Sequence, residues 1–189
     1  NYEEGLSYFQ KCLKIYEEID NKIGIAAAYT NIGLVYNEQG NYLASLDYYL
    51  KSVDINKEVG NIKGLAASYV NIGFVYKEKG DLNTALTNHQ KSLNIYEEIG
   101  NKKGIAQSLY NIGDIYKEKR SFKLAVKYIS KSLIIANDIN ALDLVNIYSK
   151  SLYEIYKKLG DSKKALKMHE RYLESKDSLD KQDALEERI

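Results

Sequence analysis

The chain has no proline and no tryptophan among its 189 residues. Proline is usually about 5% of a protein, so its absence removes a common helix breaker and loop stiffener. What remains is a chain suited to helices joined by short turns made of other residues. There is one cysteine, Cys12. One thiol excludes an internal disulfide framework and does not define a redox compartment. Long apolar runs are missing as well. The uninterrupted hydrophobic stretches are a few residues each, far below the roughly 20 that span a bilayer. An excess of one charge is also lacking. The 27 basic and 26 acidic side chains leave a net charge of +1, which gives no electrostatic case for a nucleic-acid partner.

What is present is a 44% hydrophobic content, too high at this net charge for a disordered chain. Among the aromatic side chains are 18 tyrosines and 3 phenylalanines. Nothing at Asn1 reads as a signal peptide, and the pattern there opens halfway through a unit. The sequence is therefore expected to be cut from a longer protein. It reads as soluble and cytoplasmic, or periplasmic if a leader precedes it.

The sequence repeats with a period of 40 residues. NIGLVYNEQG from Asn31 returns as NIGFVYKEKG from Asn71 and NIGDIYKEKR from Asn111. SLYEIYKKLG from Ser151 is a degraded fourth copy. A second block follows each: LDYYLKSVDI from Leu46, LTNHQKSLNI from Leu86, VKYISKSLII from Val126 and, more weakly, LKMHERYLES from Leu166. LSYFQKCLKI from Leu6 is a half-copy. One such unit cannot bury its apolar face alone, so a fixed period of this size implies a stacked array.

Both halves of the unit carry apolar residues at helical spacing. Ala28, Ile32, Val35 and Tyr36 make one stripe, and Leu46, Tyr49, Val53 and Ile55 another. Gly40, Gly80 and Gly160 separate the halves, and Gly60 and Gly100 separate units. Each can take the left-handed conformation that closes a helix. Asn61 and Asn101 follow and are expected to cap the next helix. These signals predict helices near 2–19, 22–39, 42–59, 62–79, 82–99, 102–119, 122–139, 142–159 and 162–179.

On these motifs the chain resembles the tetratricopeptide repeat family. The family pattern is an aromatic, a Leu-Gly pair, a tyrosine, then an alanine and an aromatic on the second helix, then proline. Here it runs Tyr29, Ile32, Gly33, Tyr36, Ser45, Tyr49 in the first copy and Tyr69, Ile72, Gly73, Tyr76, Ala85, His89 in the second. The third reads Leu109, Ile112, Gly113, Tyr116, Ala125, Ile129. The proline is absent throughout, and the period is 40 rather than 34. Six extra residues add about 9 Å of helix per unit. This resembles the longer-helix subclass of G-protein-signalling modulators, kinesin light chains and bacterial sensors and regulators. The resemblance implies an all-α, right-handed superhelical array of antiparallel helix pairs over 1–180. Its units are a half-repeat at 1–20 and repeats at 21–60, 61–100, 101–140 and 141–180. Residues 181–189 begin a further helix or connector.

Physical detail adds expectations. A helical glycine costs about 1 kcal/mol against alanine. Gly33, Gly73 and Gly113 are expected to face the small residues Ser45, Ala85 and Ala125, so that the helices approach closely. Tyr153 replaces the glycine in the fourth copy, which predicts a wider crossing there or an outward tyrosine. Tyr36, Tyr76, Tyr116 and Tyr156 are expected at the seam between units. Cys12, aligned with Ser52, Ser92 and Ser132, reads as a small packing residue.

No phosphate loop, nucleophile–base pair or metal-spaced cluster is present, so no enzyme activity, cofactor or metal is expected of this chain. His89 and His169 share one repeat position two units apart. That separation is about 20 Å at ordinary helix spacing, too far for one metal ion.

In the family, the first helix of each unit lines a concave groove. By motif position this places Thr30, Asn31, Leu34 and Asn37 in the groove, then Val70, Asn71, Phe74 and Lys77. Tyr110, Asn111, Asp114 and Lys117 follow, then Lys150 and Glu154. Asparagines at 31, 71 and 111 can pair with an extended peptide backbone, or can bond a neighbouring helix as consensus residues. Leu34 and Phe74 offer apolar contact, or pack between units. The later copies offer charge.

The implied function is protein or peptide binding, as the docking or sensory input region of a larger bacterial signalling protein. An alternative is a peptide-responsive regulator of a fused or bound kinase, cyclase or phosphatase. The charged strip RYLESKDSLDKQDALEERI resembles the junction leading out of bacterial repeat sensors, and it is a candidate for homodimerisation through the C-terminal helix. Leu185 aligns with Ile25, Leu65 and Ile105.

Overall fold

The structure is a computed structural model that describes residues 2–186. Among these residues there are nine helices and no strand. They are α1 (Tyr2–Glu18), α2 (Lys22–Glu38), α3 (Tyr42–Glu58), α4 (Ile62–Glu78), α5 (Leu82–Glu98), α6 (Lys102–Glu118), α7 (Phe122–Asp138), α8 (Leu142–Lys158) and α9 (Ser162–Glu186). The first eight follow the expected spans to within a residue. α9 runs on through the period without a turn at 180. Residues 187–189 and the side chain of Leu185 lie outside the described residues.

The turns show why the period is so regular. Gly40, Gly60, Gly80, Gly100 and Gly160 all have positive φ, between 66° and 80°. Asp20, Arg120 and Asn140 take the same conformation without being glycine, at 49°, 56° and 52°. At the α2–α3 turn, Gly40 N–H donates to the Asn37 carbonyl and Asn41 N–H to the Tyr36 carbonyl, both at 2.9 Å. This double closure satisfies carbonyls that the helix end leaves open. Asn41 then caps α3, its side chain accepting from Ala44 N–H at 3.2 Å. Asn61 and Asn101 cap as expected, accepting from Gly64 and Gly104 at 3.1 and 3.0 Å. One residue thus ends one helix and starts the next, so no proline is needed.

The chain divides into two compact units, residues 1–99 and 100–189. In the N-terminal unit, Leu46, Tyr49 and Val53 of α3 pack against Ile72 and Val75 of α4, with Tyr69 and Tyr76 alongside. A buried polar chain crosses the same helices. Thr30 Oγ1 lies 2.9 Å from Ser52 Oγ, which lies 3.2 Å from Ser68 Oγ. Asn56 donates to Ser52, and Asn61 donates to Asn56 Oδ1 at 2.7 Å. The core of the C-terminal unit includes Ile129 and Leu133 of α7 with Tyr148, Leu152 and Ile155 of α8.

Ser45, Ala85 and Ala125 are fully buried, and a Cβ on Gly33 would lie 3.2 Å from the Ser45 carbonyl oxygen, so the small residues do face each other there. A larger side chain one turn along also meets each glycine. A Cβ on Gly33 would lie 2.8 Å from the Tyr49 ring, one on Gly73 2.6 Å from the His89 ring, and one on Gly113 2.5 Å from Ile129 Cγ1. His89 is therefore a packing group, seated with no exposed surface. In the fourth hairpin, Tyr153 stands at the glycine position of the repeat. Its ring lies against His169 with centroids 4.6 Å apart, and both residues stay half-buried. Of the recurring tyrosines, Tyr76 packs beside the α3–α4 core that joins two repeats, as expected. Tyr36 and Tyr116 also stack on Tyr48 and Tyr128 of the paired helix within their hairpins, centroids 5.5 Å apart in each case.

Candidate functional site

In the N-terminal unit, four of the expected groove residues line one cavity of about 410 Å³. Leu34 and Asn37 come from α2, and Asn71 and Phe74 from α4. Glu38, Gly40, Tyr42, Tyr49 and Glu78 complete it. Leu34 is 46% exposed and Phe74 40%, so both offer apolar surface to solvent. Phe74 meets the buried His89 ring edge-on, centroids 5.3 Å apart at 77°, which holds it upright. Burial pushes the Tyr49 phenol above its ordinary pKa, so it lines the site as a neutral group.

The amides separate into two kinds. Asn56, Asn61, Asn88, Asn137 and Asn146 all have internal hydrogen bonds. Among the described residues, the side chains of Asn31 and Asn71 have none. Asn37 Oδ1 is buried without a partner. A buried acceptor left unpaired costs stability. Asn31 lines a second, smaller depression of about 240 Å³, beside Ile23, Ala27 and Ala67. Thr30 also touches it, but its hydroxyl bonds the Ala26 carbonyl and Ser52. Val70 and Lys77 are half-buried on α4.

The C-terminal unit treats its equivalent residues differently. Tyr110 stacks on the buried Tyr148, centroids 4.5 Å apart, and Asn111 is only 9% exposed. Lys117 Nζ donates to Glu154 Oε2 at 2.9 Å, joining α6 to α8. Burial acts to lower the Lys117 pKa, but the Glu154 hydrogen bond and charge outweigh it and hold the amine above its ordinary value. Much of the charge expected here is therefore spent internally. Asp114 is half-buried, and Lys150 is exposed with its Nζ 5.9 Å over the Tyr172 ring. A cavity of about 520 Å³ lies at the α6–α7 corner, lined by Lys117, Glu118, Arg120, Phe122 and Lys158. Sequence reasoning missed the corner residues of both cavities, because it followed the groove helix alone. The repeat register carries the signal: Glu38 and Glu78 hold one position in successive copies.

Among the described residues, no group of three or more His, Cys, Asp or Glu is arranged to hold a metal. No helix among them is long and apolar enough to cross a membrane.

A family model of the tetratricopeptide repeat matches residues 1–58 and 64–138. The chain belongs to the tetratricopeptide repeat family, whose repeats form a non-catalytic scaffold, and no enzyme family is indicated. No curated protein matches it in sequence. Among solved structures it is similar to BtubC (BKLC) from P. vanneervenii, with a TM-score of 0.83 and 17% identity over 94% of this chain and 74% of that one. It is similar to aspartyl phosphate phosphatase F from Bacillus subtilis, with a TM-score of 0.85 and 18% identity over 92% of this chain and 45% of that one. It also resembles the Rap conjugation gene regulator of plasmid pLS20, solved in complex with the Phr* peptide. There the TM-score is 0.74, with 22% identity over 95% of this chain and 50% of that one. The chain thus spans about half the length of two of these proteins. At these identities the likeness establishes the fold: a repeat solenoid of helix pairs.

Proposed function

We propose that this array binds an extended peptide or protein segment along the α2–α4 face, as the docking or sensory input region of a larger signalling protein. The observation that carries the reading is the 410 Å³ cavity, where exposed Leu34 and Phe74 stand beside the amides of Asn37 and Asn71. An apolar side chain of the segment seats between Leu34 and Phe74. Its backbone N–H and C=O groups pair with the asparagines, which offer both donors and acceptors. The peptide complex of the pLS20 regulator supports the reading by fold analogy. The extension of α9 past the repeat period supports a connector to a further module.

The test is a peptide display screen on the whole chain, followed by titration calorimetry of the selected peptide. Asn71→Ala with Phe74→Ala is expected to weaken binding at least tenfold while helicity by circular dichroism is retained. Unchanged affinity removes the groove from consideration. A second reading, a receptor for a short free peptide that controls an effector, is favoured by the likeness to that same regulator. It requires a free peptide to raise the melting temperature by mass action. Self-association through α9 rests on the exposed Leu173, and equal masses by light scattering with and without 176–189 count against it.

A further inference from the structure

The two largest clefts described above are the same place in the repeat. Residues 37, 38, 40, 42 and 78 line the first, and residues 117, 118, 120, 122 and 158 line the second. Each pair is separated by two periods of 40. Each cleft has an aromatic at the corner, Tyr42 in one and Phe122 in the other. Their charges are opposite. The first is lined by Glu38 and Glu78 and by no cation among the described residues. Neither carboxylate has an ion pair among those residues. The carboxylates make this wall rich in acceptors, with the Asn71 amide as a donor. The second is lined by Lys117, Arg120 and Lys158 against the single acid Glu118. Lys117 is already bonded to Glu154. Arg120 has no ion pair among the described residues, and Lys158 Nζ lies 5.7 Å over the Phe122 ring.

We propose that the two clefts select opposite charges on extended peptide segments. The N-terminal cleft takes a cationic side chain next to an apolar one, and its repeat-equivalent in the C-terminal unit takes an anionic side chain. The inference rests on the peptide-binding reading above and adds the class of ligand residue. A guanidinium fits the first wall because it supplies several N–H donors in one plane. The two glutamates accept them, and the face of Phe74 or Tyr42 attracts the cation. The apolar neighbour covers Leu34. In the second cleft, Arg120 and Lys158 offer donors to a carboxylate, and Phe122 covers its methylene groups.

The test follows amide resonances of the isotope-labelled whole chain during titration with three blocked dipeptides: acetyl-Leu-Arg-amide, acetyl-Leu-Glu-amide and acetyl-Leu-Gln-amide. The arginine dipeptide is expected to move Gly40, Asn71 and Phe74. The glutamate dipeptide is expected to move Arg120 and Phe122, and the glutamine dipeptide to bind more weakly at both. Glu38→Gln with Glu78→Gln should weaken the arginine dipeptide at least roughly threefold, a modest value suited to partly exposed ion pairs, and leave the second cleft unchanged. Arg120→Gln with Lys158→Gln should do the reverse. Raising the salt should weaken both. Equal binding of the arginine and glutamine dipeptides at the first cleft refutes charge selection and leaves the groove standing. No response at either cleft to any dipeptide refutes both.

Discussion

Replacing Gly113 by alanine sets helix propensity against packing. In an exposed helix, alanine for glycine stabilises by about 1 kcal/mol. At Gly113 the new Cβ would lie 2.5 Å from Ile129 Cγ1 and 3.2 Å from both the Ile129 backbone nitrogen and Tyr128 Cβ. Carbon atoms rest about 3.5–4.0 Å apart, so the overlap is roughly 1.0–1.5 Å. Ile129 is fully buried within the core of its unit. The backbone nitrogen moves only if α7 moves. Overpacking of this kind costs about 1–3 kcal/mol. Less the helix-propensity gain, the net effect should be destabilisation of up to about 2 kcal/mol. Gly5→Ala is the control, because its Cβ would meet only Val35 Cγ2, at an ordinary 3.8 Å. That variant should be stabilised by roughly 0.5–1 kcal/mol. Urea unfolding followed by circular dichroism measures both. If Gly113→Ala proves as stable as Gly5→Ala, the close approach of α6 and α7 is not what the glycine serves.

Asn61→Ala removes both the cap on Gly64 and the donor to Asn56 Oδ1, and should cost about 1–2 kcal/mol in urea unfolding. Ser121 begins α7 without a side-chain cap bond, so Ser121→Asp should gain about 0.5–1 kcal/mol by the same measure. Burial raises the Tyr148 phenol, with Tyr110 and Asp143 adding to the shift. A pKa raised in the folded state contributes stability that is whole below the unfolded value and is lost as pH rises above it. The chain should therefore lose stability above about pH 10, the unfolded tyrosine value. Tyr148→Phe should flatten that limb in a circular dichroism titration, and an unchanged limb would assign the loss elsewhere. Lys117, held up by Glu154, loses its contribution in the same direction at high pH.

Much of this molecule is legible in one dimension. The period, the helix spans, and the capping roles of Asn61 and Asn101 follow from local chemistry. A glycine in the left-handed conformation and an asparagine after it act within a few residues of their own position. Leu34, Asn37, Asn71 and Phe74 were legible as a group from motif position alone. Glu38, Glu78, Arg120 and Lys158 were not, because they stand at hairpin corners and join the clefts only once two hairpins stack. Thr30 and Tyr110 look like groove residues by register, yet their side chains are occupied by Ser52 and Tyr148.

The missing proline is a local fact, and its consequences could be worked out from the sequence. The first eight helices run to a glycine or to Asp20, Arg120 or Asn140 in the left-handed conformation, and the unit lengthens to 40. Tertiary structure alone decided that a larger side chain also meets each motif glycine, since Ser45 and Tyr49 lie on the same helix and only the crossing brings both to Gly33. It also decided which amides stay free. An asparagine is spent or available according to what a neighbouring helix brings within about 3 Å. Likewise Lys117 is neutralised by Glu154, 37 residues away, while Glu38 and Glu78 meet no cation among the described residues. Partnership across stacked helices depends on rotation and spacing that no single segment encodes.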